Sequence, residues 1–394
     1  MKKVFNLLVS FVLIAGFSAC SKDDSGNQQQ EPEYPSPAPV PTVNYKGLTF
    51  ISSGNSTVCL AKVGAPDEIT LEYSTDESLW NPYTLGEKIS LADGTFLLFR
   101  AGEQKNRKFS KDDENYYHFE ISGSISAQGN IMSLLNRDFS TPLTTYAFFA
   151  LFEGCTSLLS APELPATTME KGCYSQMFSG CTALKSAPEL PAEVLATNCY
   201  RYMFRGCSTL TSAPKLPATK MEAYCYNSMF ANCTGLTSAP ELTAKRLESN
   251  CYQHMFEGCT SLSSAPELPA TYLVTECYHS MFNGCTSLTS APKLPATTLD
   301  WGCYSEMFQG CTSLTSAPEL PAKELIRNCY QLMFKDCSKL RYVKALFTTS
   351  PSEETTKDWL SSVAASGTFV KSKNATWNVI GVHGIPKGWK IETR

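Results

Sequence analysis

The chain has 394 residues, of which 43% are hydrophobic and 18% charged, and its formal net charge is −4. That length suggests two or three domains, and the weak acidic balance excludes the basic footprint of a nucleic-acid-binding protein. Seventeen cysteines beside four histidines pose a question that only their spacing can answer.

Residues 1–19 read as an export signal. Lys2 and Lys3 precede the apolar stretch VFNLLVSFVLIAGF, which is too short to span a bilayer comfortably. The adjoining FSAC resembles a bacterial lipobox, with Phe17 where Leu is more usual, and implies cleavage before Cys20 and lipidation of its sulfur. Two or more acyl chains would make a stable anchor. The SKDD after the lipobox cysteine resembles the acidic tag of Bacteroidetes lipoproteins displayed on the outer leaflet of the outer membrane. The expected location is therefore the cell outer membrane, lipid-anchored and surface-exposed. Residues 20–44, rich in Gln and Pro, have nothing to bury and read as a disordered stalk.

From residue 45 to 125 the pattern alternates with period two. GLTFISS, STVCLAKV, EITLEYS, KISLADGTFLLFRAG and YYHFEISGSI are strand candidates separated by turn sequences. Evenly spaced short strands predict a small all-β sandwich of the immunoglobulin-like sort. Cys59 is expected in its core. Trp80 and Tyr83 are aromatic side chains suited to a sugar platform or to strand packing.

Residues 126–146 form the expected N-terminal cap of a repeat array. Over 147–340 one 26-residue sentence recurs without insertion or deletion, in units that begin at Ala147, Cys173, Cys199, Cys225, Cys251, Cys277, Cys303 and Cys329. The frame is C-Y-x-x-M-F-x-G-C-T-x-L-x-S-A-P-E/K-L-P-A. A single unit cannot enclose a core, but stacked units can, so the array predicts a solenoid of equal coils. Cys, Met and Phe at i, i+4 and i+5 predict a helical turn, ended at Gly180 and its equivalents. CTSLTSAP is strand-compatible, and its prolines keep the sheet narrow. The fold class expected is an α/β repeat solenoid preceded by the β-sandwich. Residues 341–394 are expected to cap it, with Ser352 starting a helix that Gly367 ends.

The C-T-S-L-T-S run, the proline-bounded segment and the C-Y-x-x-M-F turn together resemble the BspA-type leucine-rich repeat of surface proteins from Bacteroides and related bacteria. APELP departs from the usual form of that segment. The resemblance implies a leucine-rich-repeat solenoid and adhesion to host matrix or to other bacteria.

Fifteen cysteines lie between Cys155 and Cys337, in two ladders offset by eight residues. C-x7-C with so few histidines is a poor zinc pattern. A wholly helical stretch would hold Cys173 and Cys181 about 12 Å apart, beyond disulfide reach. Bonds between ladders or between neighbouring coils stay open; the favoured reading is buried, reduced thiols that pack as small apolar groups.

The positions that vary from unit to unit bring Tyr202, Tyr224, Tyr272 and Trp301 together with Arg201, Arg205, Arg246, His254 and His279. The four aromatics, with Arg201 and Arg205, are the candidate partner contacts. A second stripe reads Glu163, Glu189, Lys215, Glu241, Glu267, Lys293, Glu319, where the lysines relieve repulsion between stacked carboxylates. No G-x-S-x-G, H-E-x-x-H or P-loop occurs. The expectation is a non-enzymatic surface lipoprotein, without cofactor or metal, that recognises a host-matrix or bacterial-surface protein. The alternative is a glycan-binding lipoprotein of a polysaccharide-utilisation system, using Trp80 or Trp301.

Overall fold

The computed structural model describes residues 46–394; the expected export signal, Cys20 and the stalk lie outside them. Residues 46–128 supply eight strands. They are β1 (Leu48–Ser52), β2 (Ser56–Val63), β3 (Leu71–Ser74), β4 (Asn81–Pro82), β5 (Ile89–Leu91), β6 (Phe96–Ala101), β7 (Tyr116–Ser122) and β8 (Ile125–Gln128). Six of them lie within the predicted segments; β4 forms in sequence read as a turn, and β8 runs on past the last predicted strand. One sheet runs β4-β3-β6-β1-β8 and the other β5-β2-β7, all antiparallel. Their inner faces meet through aromatic rings: Phe50 of β1 lies 4.9 Å from Phe119 of β7, edge to face. Cys59 is buried, but the core takes its neighbours Val58 and Leu60, and strand alternation turns Cys59 to the other face of β2.

The module does not close on itself. β8 pairs in parallel with β9 (Leu158–Ser160) of the first coil, and the Phe119 N–H donates to the Leu151 carbonyl at 2.7 Å. Phe119 also stacks on Phe152, so one apolar core runs from the sheets into the repeats.

The coils are not half-helical, which corrects the α/β expectation. Among the described residues the only α-helix is Glu353–Thr356, and a single 3-10 turn covers Ile131–Leu134. The C-Y-x-x-M-F segment is instead a run of tight turns. In the second unit, the N–H groups of Cys173, Ser175, Met177, Ser179 and Cys181 each close a turn on the carbonyl three residues back. The intervening N–H groups, those of Gly172, Tyr174, Gln176, Phe178 and Gly180, donate to the next coil, at Thr197, Cys199, Arg201, Met203 and Arg205. Every backbone donor is thereby satisfied without a helix.

This alternation demands a left-handed residue every fourth position. φ is 63° at Gly172, 59° at Gln176 and 75° at Gly180, and the same three columns recur in later units. No right-handed helix tolerates such a sequence of dihedrals. The turn run nevertheless buries Cys173, Met177 and Cys181. That is the i, i+4 spacing of a helix face, so periodicity alone could not separate the two.

The Ser-Ala-Pro-Glu-Leu-Pro-Ala segments cross the opposite side in extended form. Between residues 187–192 and either neighbouring coil there is no backbone hydrogen bond, and the same holds for 213–218, 239–244, 265–270 and 291–296. The prolines explain this, since they bring no N–H to a ladder. A formal strand, β10 (Ser316–Leu320), forms where the next coil offers the proline-free β11 (Tyr342–Ala345). β11 continues in parallel to β12 (Thr368–Lys371) and β13 (Lys390–Thr393).

Turn geometry persists beyond the recognisable repeat. Ser352 caps the helix at Glu353 as expected, but the helix stops at Thr356. Asp358 (φ 49°) and Ser362 (φ 59°) then resume the left-handed columns. Leu332, Phe334 and Asp336 donate to the carbonyls of Lys357, Trp359 and Ser361. The last coil is covered by Trp359, Trp377 and Trp389, all buried.

Candidate partner-binding surface

The interior leaves no chemistry to spare. Phe152, Phe178, Phe204, Phe230, Phe256, Phe282, Phe308 and Phe334 stack in one column with centroids 5.4–5.7 Å apart and planes within 9°. The tyrosines from Tyr174 to Tyr330 form a parallel column at 5.8–6.1 Å. Each pair is offset-stacked and contributes about 0.5–1.5 kcal/mol beyond burial.

The sixteen described cysteines are free and buried. In the ladder from Cys155 to Cys337 each thiol donates to a Phe carbonyl at 3.0–3.1 Å, that of Phe119 in β7 for Cys155 and one in the preceding coil for the rest, as Cys207 does to Phe178. Burial pushes the thiols up, to about 12 for Cys155, Cys173, Cys251, Cys259, Cys329 and Cys337. They are packing groups, not nucleophiles or ligands. Among the described residues no group of three His, Cys, Asp or Glu is placed to hold a metal ion.

What varies lies on the turn face. The Arg201 guanidinium sits 4.6 Å from the Tyr202 ring centre and 5.8 Å from that of Tyr224, and its Nη2 donates to the Tyr202 hydroxyl at 3.0 Å. Arg205 approaches Tyr202 from the other side at 5.4 Å. Tyr202 and Tyr224 both occupy left-handed positions, at φ 56° and 58°. The flanking residues in the Arg205 column are Ser179 and Ala231, so small neighbours leave the guanidinium exposed. Its charge is felt two coils away on either side, by Glu153 and Glu257. Four of the six expected contact residues thus form one cation–aromatic cluster. Tyr272 and Trp301 are exposed, at 61% and 40%, but no ring or cation contact joins them to it.

Further along the same face lies a polar network of which the sequence picked out only His254 and His279. Glu276 accepts from Asn250 Nδ2 at 2.7 Å and from Gln253 Nε2 at 3.3 Å, and Gln253 Oε1 accepts from Asn227 at 2.7 Å. His254 lies 5.1 Å from His279, ring to ring, and its Nδ1 is 2.9 Å from Glu257. Burial, then the neighbouring His254, holds His279 below its ordinary range; the hydrogen bond from His254 lowers the Glu257 carboxyl. Asn250 with Glu276, and Asn227 with Gln253, each stand 26 residues apart, so aligning the units column by column is the signal that finds them.

The opposite side carries the Glu/Lys stripe, exposed throughout. Clefts open there between coils, one of about 410 Å³ lined by Pro162, Pro165, Glu163, Pro188 and Glu189, and another of about 610 Å³ between Pro240 and Pro269.

A model of the BspA-type leucine-rich repeat region, six copies, matches residues 138–255 and 226–352. These cover more than half of the chain. The fold is accordingly a leucine-rich-repeat solenoid, built with almost no helix. The chain belongs to the BspA-type leucine-rich-repeat family, a membership that points to protein–protein recognition. No curated protein matches the chain.

Proposed function

We propose that this protein is a non-enzymatic adhesin of the bacterial cell surface, held in the outer membrane by a lipid on Cys20. Its solenoid recognises a protein of the host matrix or of another bacterial surface. The observation that carries this reading is the Arg201–Tyr202–Arg205–Tyr224 cluster, set at variable positions on a frame whose Cys, Tyr, Met, Phe and Leu residues are spent on the core. Arginine and tyrosine are the side chains that most often anchor interfaces. The repeat type supports the same reading, because solenoids offer broad exposed faces to macromolecules. We also read the two-sheet module as immunoglobulin-like, a rigid spacer between anchor and solenoid.

Surface plasmon resonance against a panel of matrix and bacterial-surface proteins tests the reading. A bound partner should lose at least tenfold in affinity with Arg201→Ala/Arg205→Ala, and less with Tyr272→Ala. A panel without any binder, or a binder indifferent to the arginines, would count against it. Incorporation of labelled palmitate that persists in Cys20→Ala would refute the anchor.

A further inference from the structure

Between the two-sheet module and the segment that leads into the repeats lies a cavity of about 440 Å³ that the adhesin reading does not use. Lys46, Glu77, Trp80, Arg100, Arg137 and Phe139 line it. Its cations are pre-positioned by a carboxylate behind them. Glu72 accepts from Arg100 Nη2 at 2.8 Å and Nε at 2.9 Å through one oxygen, and from Arg137 Nη2 at 2.7 Å through the other. The Glu72 side chain is only 18% exposed, so the pair of guanidiniums is fixed from within. Both carboxylate oxygens are spent, and Lys46 makes no ion pair. Three cations thus face the cavity and its backing against two carboxylates, Glu72 and Glu77.

The apolar side is equally constrained. Arg100 stacks on Trp80 with its guanidinium carbon 3.6 Å from the ring centre, which locks the indole in place. Two lining residues, Glu77 (φ 66°) and Phe139 (φ 59°), hold left-handed backbone conformations that side-chain-bearing residues rarely adopt. Before the repeats begin at Ala147, they and Tyr146 are the only non-glycine residues to do so among those described. Strained dihedrals concentrate where a ligand is gripped.

We infer that this cavity binds a carboxylate-bearing sugar, a hexuronate unit of an acidic glycan. The volume lies within the range of small-molecule sites. The cation excess supplies the carboxylate's partners, with Lys46 and the unspent N–H groups of Arg137 in reach of the cavity. Trp80 and Phe139 offer apolar surface to the sugar's C–H face, and Glu77 accepts from its hydroxyls. A neutral sugar would leave the cations unanswered. A bare anion would leave the aromatic wall unused. This inference is independent of the adhesin reading, since the repeat coils from Ala147 onward contribute nothing to the cavity.

Isothermal titration calorimetry on the full chain tests it, with glucuronic acid and a glucuronate-containing disaccharide as probes, and glucose and acetate as controls. Saturable binding of the uronates, at least tenfold tighter than either control, is the expected result, since a hydrogen-bonded charge is the strongest discriminator in such a site. Lys46→Gln and Arg137→Gln should each weaken the uronates by tenfold or more, and Trp80→Leu should weaken every sugar. Val194→Ala, exposed on the solenoid, should leave binding unchanged. Lys46 is exposed, so its variant keeps the fold and the test stands even if the loss of Arg137 disturbs Glu72. No saturable uronate binding, uronate equal to acetate, or Lys46→Gln binding like the wild type would each overturn the proposal.

Discussion

Replacing Gln176 by glycine separates a run of turns from a helix by the sign of the effect. Gln176 sits at φ 59°, and its side chain makes no hydrogen bond. Its N–H donates to Arg201 at 2.8 Å, and that bond survives any side chain except proline. Holding an L-residue in the left-handed region costs about 1–2 kcal/mol. Glycine removes that strain but loses about 0.5–1 kcal/mol more backbone entropy on folding. Gln176→Gly should therefore stabilise by about 0.5–1 kcal/mol. Were the segment helical, the same change would destabilise by roughly 0.5–1 kcal/mol. The reciprocal variant is Gly180→Ala, at φ 75°, where a Cβ would meet the Gly154 Cα at 3.6 Å, an ordinary contact. With no clash to add, its loss should mirror that balance of strain against backbone entropy, about 0.5–1 kcal/mol. Guanidinium unfolding followed by circular dichroism reads both. A lower midpoint for Gln176→Gly, or a Gly180→Ala indistinguishable from wild type, would refute the reasoning.

The thiols make the fold alkali-sensitive. Their folded pKa values are raised to about 12 for six of them, above the unfolded value of about 8.5. Stability is then complete below about pH 8.5 and falls as pH rises towards 12, because only the unfolded chain releases protons; each such thiol withdraws about 2 kcal/mol by pH 10. Urea midpoints that stay flat between pH 8 and 10 would contradict this. Before unfolding, a thiol reagent at pH 8 should label none of the sixteen described cysteines, and after it all of them. Phe230→Ala should cost about 3–5 kcal/mol, because the ring is fully buried and stacked on both Phe204 and Phe256. Phe334→Ala, stacked only on Phe308, should cost about 1 kcal/mol less; equal losses would argue against ring-to-ring coupling.

Much of this architecture was legible because the repeat is strict. Equal unit length implied stacked coils, and the apolar columns at Cys173, Met177 and Phe178 identified the core. Buried, reduced cysteines were the favoured reading, with disulfides between ladders or coils left open, and the sixteen described ones are free. The secondary structure of the turn face was hidden because turns advancing four residues at a time bury the positions a helix would. Gly180 and its equivalents, with Asn232 and Asp336, signalled left-handed backbone, as did Gly172, Asn198, Asn250, Gly302 and Asn328 eight residues earlier in their units, while Gln176 and Leu332 disguise it. The turn run at Asp358 and Ser362 was invisible because Trp359 stands where the frame has Met and Leu360 where it has Phe, with Thr355 and Thr356 in place of Cys-Tyr. At the candidate surface, Arg201, Tyr202, Arg205 and Tyr224 were found by variability, which marks exposure. It does not mark proximity, so Tyr272 and Trp301 were grouped with them although they stand apart. The cavity around Trp80 was not legible, since Arg100 and Arg137 meet Glu72 only through folding.

Deleting one coil, residues 199–224, from the middle of the array asks most directly whether identical coils share their core with their neighbours. The cut joins Asn198 to Cys225 and restores every column, so the shortened chain should fold with the parent's circular dichroism and unfold cooperatively at a modestly lower denaturant midpoint. Deleting only residues 199–211 breaks the columns and should abolish that transition. A one-coil deletion as unfolded as the half-coil deletion would show that the units are not interchangeable and would contradict the account.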